Sequence, residues 1–203
     1  MGFILSVFAI IAACIFGIWF LYASFYKKVD SGTAMVINLT GTQSDVEFTG
    51  RIVLPIIHHK EVMDISLKTI EIDRRGKDGL ICLDNIRADI KVAFFVRVNN
   101  TKQDVLKVAK TIGCTRTFEQ ETIENLFCVR FSEALKTASH RLNFIELFQT
   151  PDKFRNDIYQ TIGSNLNGYV LEDIAIDYLV KTPIENLKKV NILEVQDVGK
   201  SPV

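Results

Sequence analysis

Ile86-Arg87-Ala88-Asp89-Ile90-Lys91-Val92-Ala93-Phe94-Phe95-Val96-Arg97-Val98 carries the clearest pattern in the chain. Every even position from Ile86 to Val98 is apolar, whereas Arg87, Asp89, Lys91 and Arg97 occupy odd ones. A period of two is the signature of a strand with one face on a core and one toward water. Ala93 and Phe95 interrupt the polar side, so part of that side is expected to be covered by another element or by a neighbouring subunit.

Toward the amino terminus the text stays strand-like. Residues 67–73 predict a second strand, with Ile70 and Ile72 alternating against Glu71 and Asp73, and Arg74-Arg75-Gly76-Lys77-Asp78-Gly79 reads as a polar reversal. From Ala34 onward, turn signals fall at Thr40-Gly41-Thr42 and Thr49-Gly50. They precede the β-rich run Arg51-Ile52-Val53-Leu54-Pro55-Ile56-Ile57, whose Pro55 cannot donate to a ladder and belongs at an edge, a strand start or a bulge.

Beyond Asn99-Asn100 the period becomes helical. Thr117, three residues before Gln120, predicts a capping box. Ile123, Leu126, Phe127, Phe131, Ala134, Leu135 and Ala138 then define the core stripe of a long amphipathic helix. Thr150-Pro151-Asp152 predicts another helix start, with a capping hydroxyl, proline at the first position and a favourable acid. Phe154, Ile158, Ile162 and Leu166 form its stripe, and Gly168 is placed to end it. A last strand over 170–180 alternates Ile174, Ile176, Tyr178 and Val180 with Asp173, Ala175 and Asp177. Thr182-Pro183-Ile184-Glu185 suggests one more helix start. Strands followed by helices and a returning strand make this an α+β fold, an antiparallel-rich sheet with packed helices.

The first 26 residues contain no Asp, Glu, Lys or Arg. Phe3 to Phe25 is 23 residues, about 34 Å as a helix, enough to cross a hydrocarbon core of roughly 30 Å. A cleaved secretory signal would have a positive n-region and a shorter apolar stretch, and neither is present. The segment is therefore expected to be a transmembrane anchor carried by Phe3, Phe8, Ile11, Ile15, Trp19, Leu21, Tyr22 and Phe25. Trp19, Tyr22 and Tyr26 would serve as interfacial aromatics. Lys27 and Lys28 are its flanking charges, and the positive-inside rule puts them and the remaining chain on the cytoplasmic side of the inner (plasma) membrane, a single-pass arrangement. Met1-Gly2 with Ser6 matches a loose myristoylation pattern, but a residue buried or translocated with a spanning helix is a poor acylation substrate.

Zero formal net charge from 24 basic and 24 acidic side chains argues against nucleic acid as the main partner, since phosphate-backbone binding draws on a positive excess. The four cysteines, Cys14, Cys82, Cys114 and Cys128, form no CxxC pair, so neither a zinc site nor a disulfide framework is indicated. Cys82 and Cys128 read as small buried hydrophobes, and reduced thiols agree with a cytoplasmic domain. His58-His59, with Glu61 or Asp64, is the best arrangement for a metal, yet adjacent strand residues point to opposite faces and do not share one ion. Thiol catalysis would need Cys82 or Cys114 with His140, but no nucleophile-elbow or oxyanion-type turn accompanies them. Gly76-Lys77-Asp78-Gly79 lacks the length and hydroxyl of a phosphate-binding loop. No catalytic, cofactor or metal site is therefore expected. Ile56, Ile57 and Met63 are possible contacts with the membrane interface, with core packing as the competing assignment.

The apolar leader, the module containing Gly50-Arg51-Ile52-Val53-Leu54-Pro55-Ile56-Ile57-His58, the strand 87–98 and the helix around Phe131-Ser132-Glu133-Ala134-Leu135 occur in an order that resembles the flotillin branch of the stomatin, prohibitin, flotillin and HflK/C superfamily, the SPFH or band 7 proteins. It is most similar to bacterial YqiK-type inner-membrane flotillins. The resemblance implies an anchor over 1–28, a β-rich SPFH subdomain over 29–100, an α+β SPFH subdomain over 101–187 and a short tail over 188–203. It also implies a non-enzymatic scaffold that forms homo-oligomers and gathers membrane lipids and membrane-protein clients into microdomains. The family's HflK/C branch implies an alternative, a regulatory subunit that encloses or restrains a membrane protease. Flotillins carry a long coiled coil after the SPFH domain, and none is expected before Val203.

Overall fold

The computed structural model describes residues 13–17, 19–20, 26–39, 44–52 and 58–183. The chain forms two compact units, Met1–Ser66 with Asn99–Phe118, and Leu67–Val98 with Glu119–Val203. The chain thus crosses between units three times.

In the first unit, β1 (Tyr26–Lys28) pairs antiparallel with β4 (Gly50–Ile52). β2 (Thr33–Leu39) is the central strand between β3 (Ser44–Glu47) and β5 (His58–Asp64), both antiparallel to it. Its central position explains why Ala34, Met35, Val36 and Ile37 are all buried, successive residues on both faces of the sheet. Helix α1 (Lys102–Thr111) buries Val105 and Val108. It is capped by Thr101, whose Oγ1 accepts from Asp104 N at 3.2 Å. Thr117, expected to cap the following helix, lies buried in the turn Thr115–Phe118. There its hydroxyl donates to Cys114 O at 2.6 Å and accepts from Asp64 N at 2.9 Å. A threonine already committed to a tertiary contact is not free to cap, and Glu119 takes the N-cap position of the next helix.

The second unit is built on β8 (Arg87–Val98), the strand read first from the sequence. β9 (Tyr169–Lys181) covers one entire edge, from Ala88↔Lys181 to Val98↔Tyr169. The other edge is shared in succession by β6 (Lys68–Arg74), paired with positions 90–96, and β7 (Leu80–Ile81), paired with Ala88 and Arg87. Ala88, Ile90, Val92, Phe94, Val96 and Val98 are all buried, as the period predicts. Ala93 is buried and Phe95 half-buried, so part of the polar side is covered.

Helix α2 (Gln120–Ser139) lies on β6 and β7. Phe131 stacks on Phe94 with ring centroids 4.6 Å apart and on Phe127 at 5.3 Å, and Phe127 meets Tyr169 edge-on at 5.1 Å. Two shorter helices follow, α3 (Phe144–Gln149) and α4 (Pro151–Ile162), the latter burying Phe154, Ile158 and Ile162. Pro151 takes the first turn as expected, but the Thr150 hydroxyl bonds back to Glu146 O at 2.7 Å and caps nothing. Nor does Gly168 end α4. The helix stops at Gly163, and Asn167 and Gly168, both with positive φ, make the two-residue turn between Leu166 and Tyr169.

β9 departs from its predicted alternation. Ile174 is buried, but Tyr178 and Val180 are 42% and 37% exposed. Register shifts opposite Lys91/Val92 and Phe95/Val96 each move the phase by one residue, so Leu179 rather than Tyr178 lies across from buried Ile90. The expected helix start at Ile184-Glu185 and the tail over 188–203 lie outside the described residues, as does the run 53–57 containing Pro55, Ile56 and Ile57.

Phe131→Ala is expected to destabilise the chain by about 3–5 kcal/mol, because it leaves a cavity between Phe94 and Phe127. Leu126→Ala, on the outer side of the same helix, should shift stability by about 0.5 kcal/mol or less. Urea unfolding followed by far-ultraviolet circular dichroism measures both.

Candidate membrane-facing site

Of the residues expected in the anchor, Ile15 and Trp19 fall within the description; Phe3, Phe8, Ile11, Leu21, Tyr22 and Phe25 lie outside it. Residues 13–17 and 19–20 are helical. Ile15, Phe16, Trp19 and Phe20 fall within about 140° of arc at helical spacing, and each is more than 60% exposed. Large apolar side chains left open side by side mark a surface that meets lipid or protein. Among the described residues, no helix is long and apolar enough to cross a membrane. Tyr26–Lys28, expected as the anchor's flank, is strand β1, held to β4 through Tyr26↔Ile52, Lys27↔Arg51 and Lys28↔Gly50. Lys28 is exposed. Val29 follows directly, donating its N–H to Thr49 O at 3.1 Å and packing with Met35 and Ile37.

Met63 cannot be a bilayer contact. It is fully buried in β5 opposite Ala34 and belongs to the core of the first unit. His58 and His59 are consecutive β5 residues, paired with Leu39 and Asn38, and among the described residues no group of three His, Cys, Asp or Glu is placed to hold a metal.

The cysteines sort by environment. Burial, reinforced by the charge of Asp84, pushes the Cys82 thiol up to about 11. Burial, a hydrogen bond with Glu61 and that carboxylate's charge push Cys114 up to about 12. Both are thiols at neutral pH, poor nucleophiles because the thiolate is the reactive form. Cys128 is exposed on α2, against the expectation that it is buried, because the helix turns it away from its buried neighbour Phe127. His140 is exposed at the carboxyl end of α2.

A second apolar surface was not expected. Leu126, assigned to the core stripe by spacing, is 43% exposed, and Val129 is 78% exposed. With Arg130, Glu133, Ala134 and Thr161 they line an open groove of about 450 Å³. Arg130 fixes one wall, donating to Ile162 O at 2.7 Å and Asn165 O at 3.0 Å at the end of α4. On α3, Ile145 and Phe148 are each 63% exposed. The signal was present in the sequence: at 100° per residue Leu126 lies about 120° from the centre of the arc defined by Ile123, Phe127, Phe131, Leu135 and Ala138.

An α+β body with an apolar leader, joined at β1, narrows the family. Residues 27–195 match the SPFH domain / Band 7 family, starting within β1. The chain belongs to that family. It is of flotillin type: it is 32% identical over 197 residues to the flotillin family inner membrane protein YqiK of Escherichia coli (strain K12), covering 95% of this chain and 35% of that one. It is 27% identical over 166 residues to the flotillin family inner membrane protein sll1021 of Synechocystis sp., covering 77% of this chain and 24% of that one. This SPFH chain thus spans about a third and a quarter of the lengths of the curated relatives it matches.

In the folded SPFH protein, a water-soluble maleimide should label Cys128 rapidly and leave Cys82 and Cys114 unlabelled until denaturant is added, as read by mass spectrometry. Because the folded thiol of Cys114 titrates near 12 against an ordinary 9.0, its contribution to stability is complete below the unfolded value and is lost as pH rises between them. Melting temperatures should therefore fall less steeply over that interval in Cys114→Ala than in the wild type.

Proposed function

We propose that this chain is a non-enzymatic membrane scaffold, anchored in the inner membrane by its apolar leader and self-associating through its SPFH body to organise lipids and client proteins. The observation that carries this reading is the exposed cluster Ile15, Phe16, Trp19 and Phe20 immediately before a folded flotillin-type body. Its relatives are named as inner membrane proteins. The single-pass anchor is the finer part of the proposal, supported by the uncharged stretch 1–26. Lys27 and Lys28 favour a cytoplasmic body. Self-association is supported by the apolar Leu126/Val129 face, with a second copy as occupant. A scaffold role also agrees with the environment of Cys82 and Cys114, which burial holds in the unreactive form.

The chain should stay with membranes through an alkaline carbonate wash. Ile15→Asp with Phe16→Lys should move it to the supernatant, since each charge at mid-span costs about 2.5–3.5 kcal/mol. Wild-type chain recovered in the supernatant would overturn the anchor. In mild detergent, cross-linking should give a homo-oligomeric ladder that Leu126→Glu with Val129→Glu shortens. A monomer bound in fixed ratio to a protease would instead replace the scaffold with the regulatory role.

A further inference from the structure

The reversal Arg74-Arg75-Gly76-Lys77-Asp78-Gly79 has no part in the reading above. In the second unit it forms one wall of a cleft of about 300 Å³ whose charged lining is Arg74, Lys77, Asp78, Arg87 and Lys136, with His140 also in the lining. Four cations thus meet one carboxylate, in a chain whose net charge is zero. Among the described residues no ion pair engages Arg74, Lys77 or Arg87, and Lys136 lies only loosely beside Glu133 at 3.7 Å, both side chains exposed. Arg75 is the exception that shows the alternative: it is neutralised by Asp73 at 2.9 Å and lies over the Tyr178 ring at 5.0 Å.

The cleft is a built feature. Asp89, only 6% exposed, accepts from Gly76 N at 2.9 Å and from Thr182 Oγ1 at 2.5 Å, which pins the turn to β8 and uses that carboxylate behind the cleft. A Cβ on Gly79 would lie 2.9 Å from Ala88 O and 3.0 Å from Arg87 Cγ, so glycine alone permits this approach. Arg87 Nη1 donates to the Lys77 carbonyl. Arg74 Nη2 donates to Ser132 Oγ at 2.8 Å, and its buried Nε has no partner. Both guanidinium groups are therefore held by neutral acceptors that orient them without cancelling their charge. The carbonyl end of α2 opposes an anion by about half a charge, less than the excess of the cations.

We propose that this cleft binds a phosphate group, carried either by a phospholipid headgroup or by a small soluble phosphate compound. Oriented guanidinium groups and mobile ammonium groups together match the oxygens and charge of phosphate. The volume is at the low end for small-molecule clefts and suits a phosphate with a small substituent. The inference stands apart from the scaffold reading and does not need it.

Lysine acylation footprinting of the full chain tests it. In mild detergent, inorganic phosphate, against chloride at matched ionic strength, should protect Lys77 and Lys136 saturably while Lys153, exposed on α4, stays reactive. In phosphatidylcholine vesicles without inorganic phosphate, adding the anionic phosphatidylglycerol should give the same protection if the ligand is a headgroup. Protection by phosphate alone assigns a soluble ligand, and either result supports the cleft. Lys77→Gln should weaken the affinity read from saturable protection of Lys136 about ten-fold, the worth of one charge-assisted hydrogen bond, and Lys153→Gln should change it less than about two-fold. The proposal is overturned if neither ligand protects, if Lys153 is protected equally, or if Lys77→Gln leaves Lys136 protection unchanged.

Discussion

The pairing of β8 along both edges is the constraint on which the second unit depends. With β9 on one side and β6 then β7 on the other, its backbone groups are satisfied from within the sheet. Its even face can then be wholly apolar without cost to an unpaired amide. The Phe94–Phe131–Phe127–Tyr169 cluster caps that face, joining β8, α2 and β9 through rings from distant parts of the chain. The polar face is an ion-pair ladder: Lys91 meets Glu71 at 2.9 Å and Asp177 at 3.8 Å, and Arg97 meets Glu172 at 2.6 Å. These are partly solvated pairs worth little each, so they fix which face is outward more than they hold the sheet together.

What was legible in the sequence follows from the range of the determining interaction. β8 announced itself because its period is set by its own side chains. The core stripe of α2 was readable for the same reason, except at Leu126, which lies well outside the arc. Thr117 and Thr150 misled because a hydroxyl near a helix start can also accept a tertiary N–H, as Thr117 does from Asp64, or donate to a carbonyl three or four residues back, and a linear text does not say which partner is closer. The phase of β9 was lost at two bulges, whose position depends on registry with β8 and not on β9 itself. Cys128 was misassigned because it follows the buried Phe127 in sequence, although a helix turns consecutive residues by about 100°. The basic cleft was invisible to motif reading, since Arg74, Arg87 and Lys136 come from three elements and meet only after the sheet forms.

The chemistry of the body agrees with its family membership. Burial raises Cys82 and Cys114 into the inert thiol range. Exposed apolar surface instead gathers at the leader and along the outer side of α2. Surface of that kind gains free energy by leaving water.

The junction between leader and body bears on how such a scaffold would work. β1 pairs with β4 through Lys28↔Gly50, and Val29 is held by the Thr49 carbonyl and by packing on Met35 and Ile37. No residue separates the ladder from this buried valine. On the scaffold reading, a load on β1 passes into the first unit through these backbone hydrogen bonds and the packed Val29 side chain.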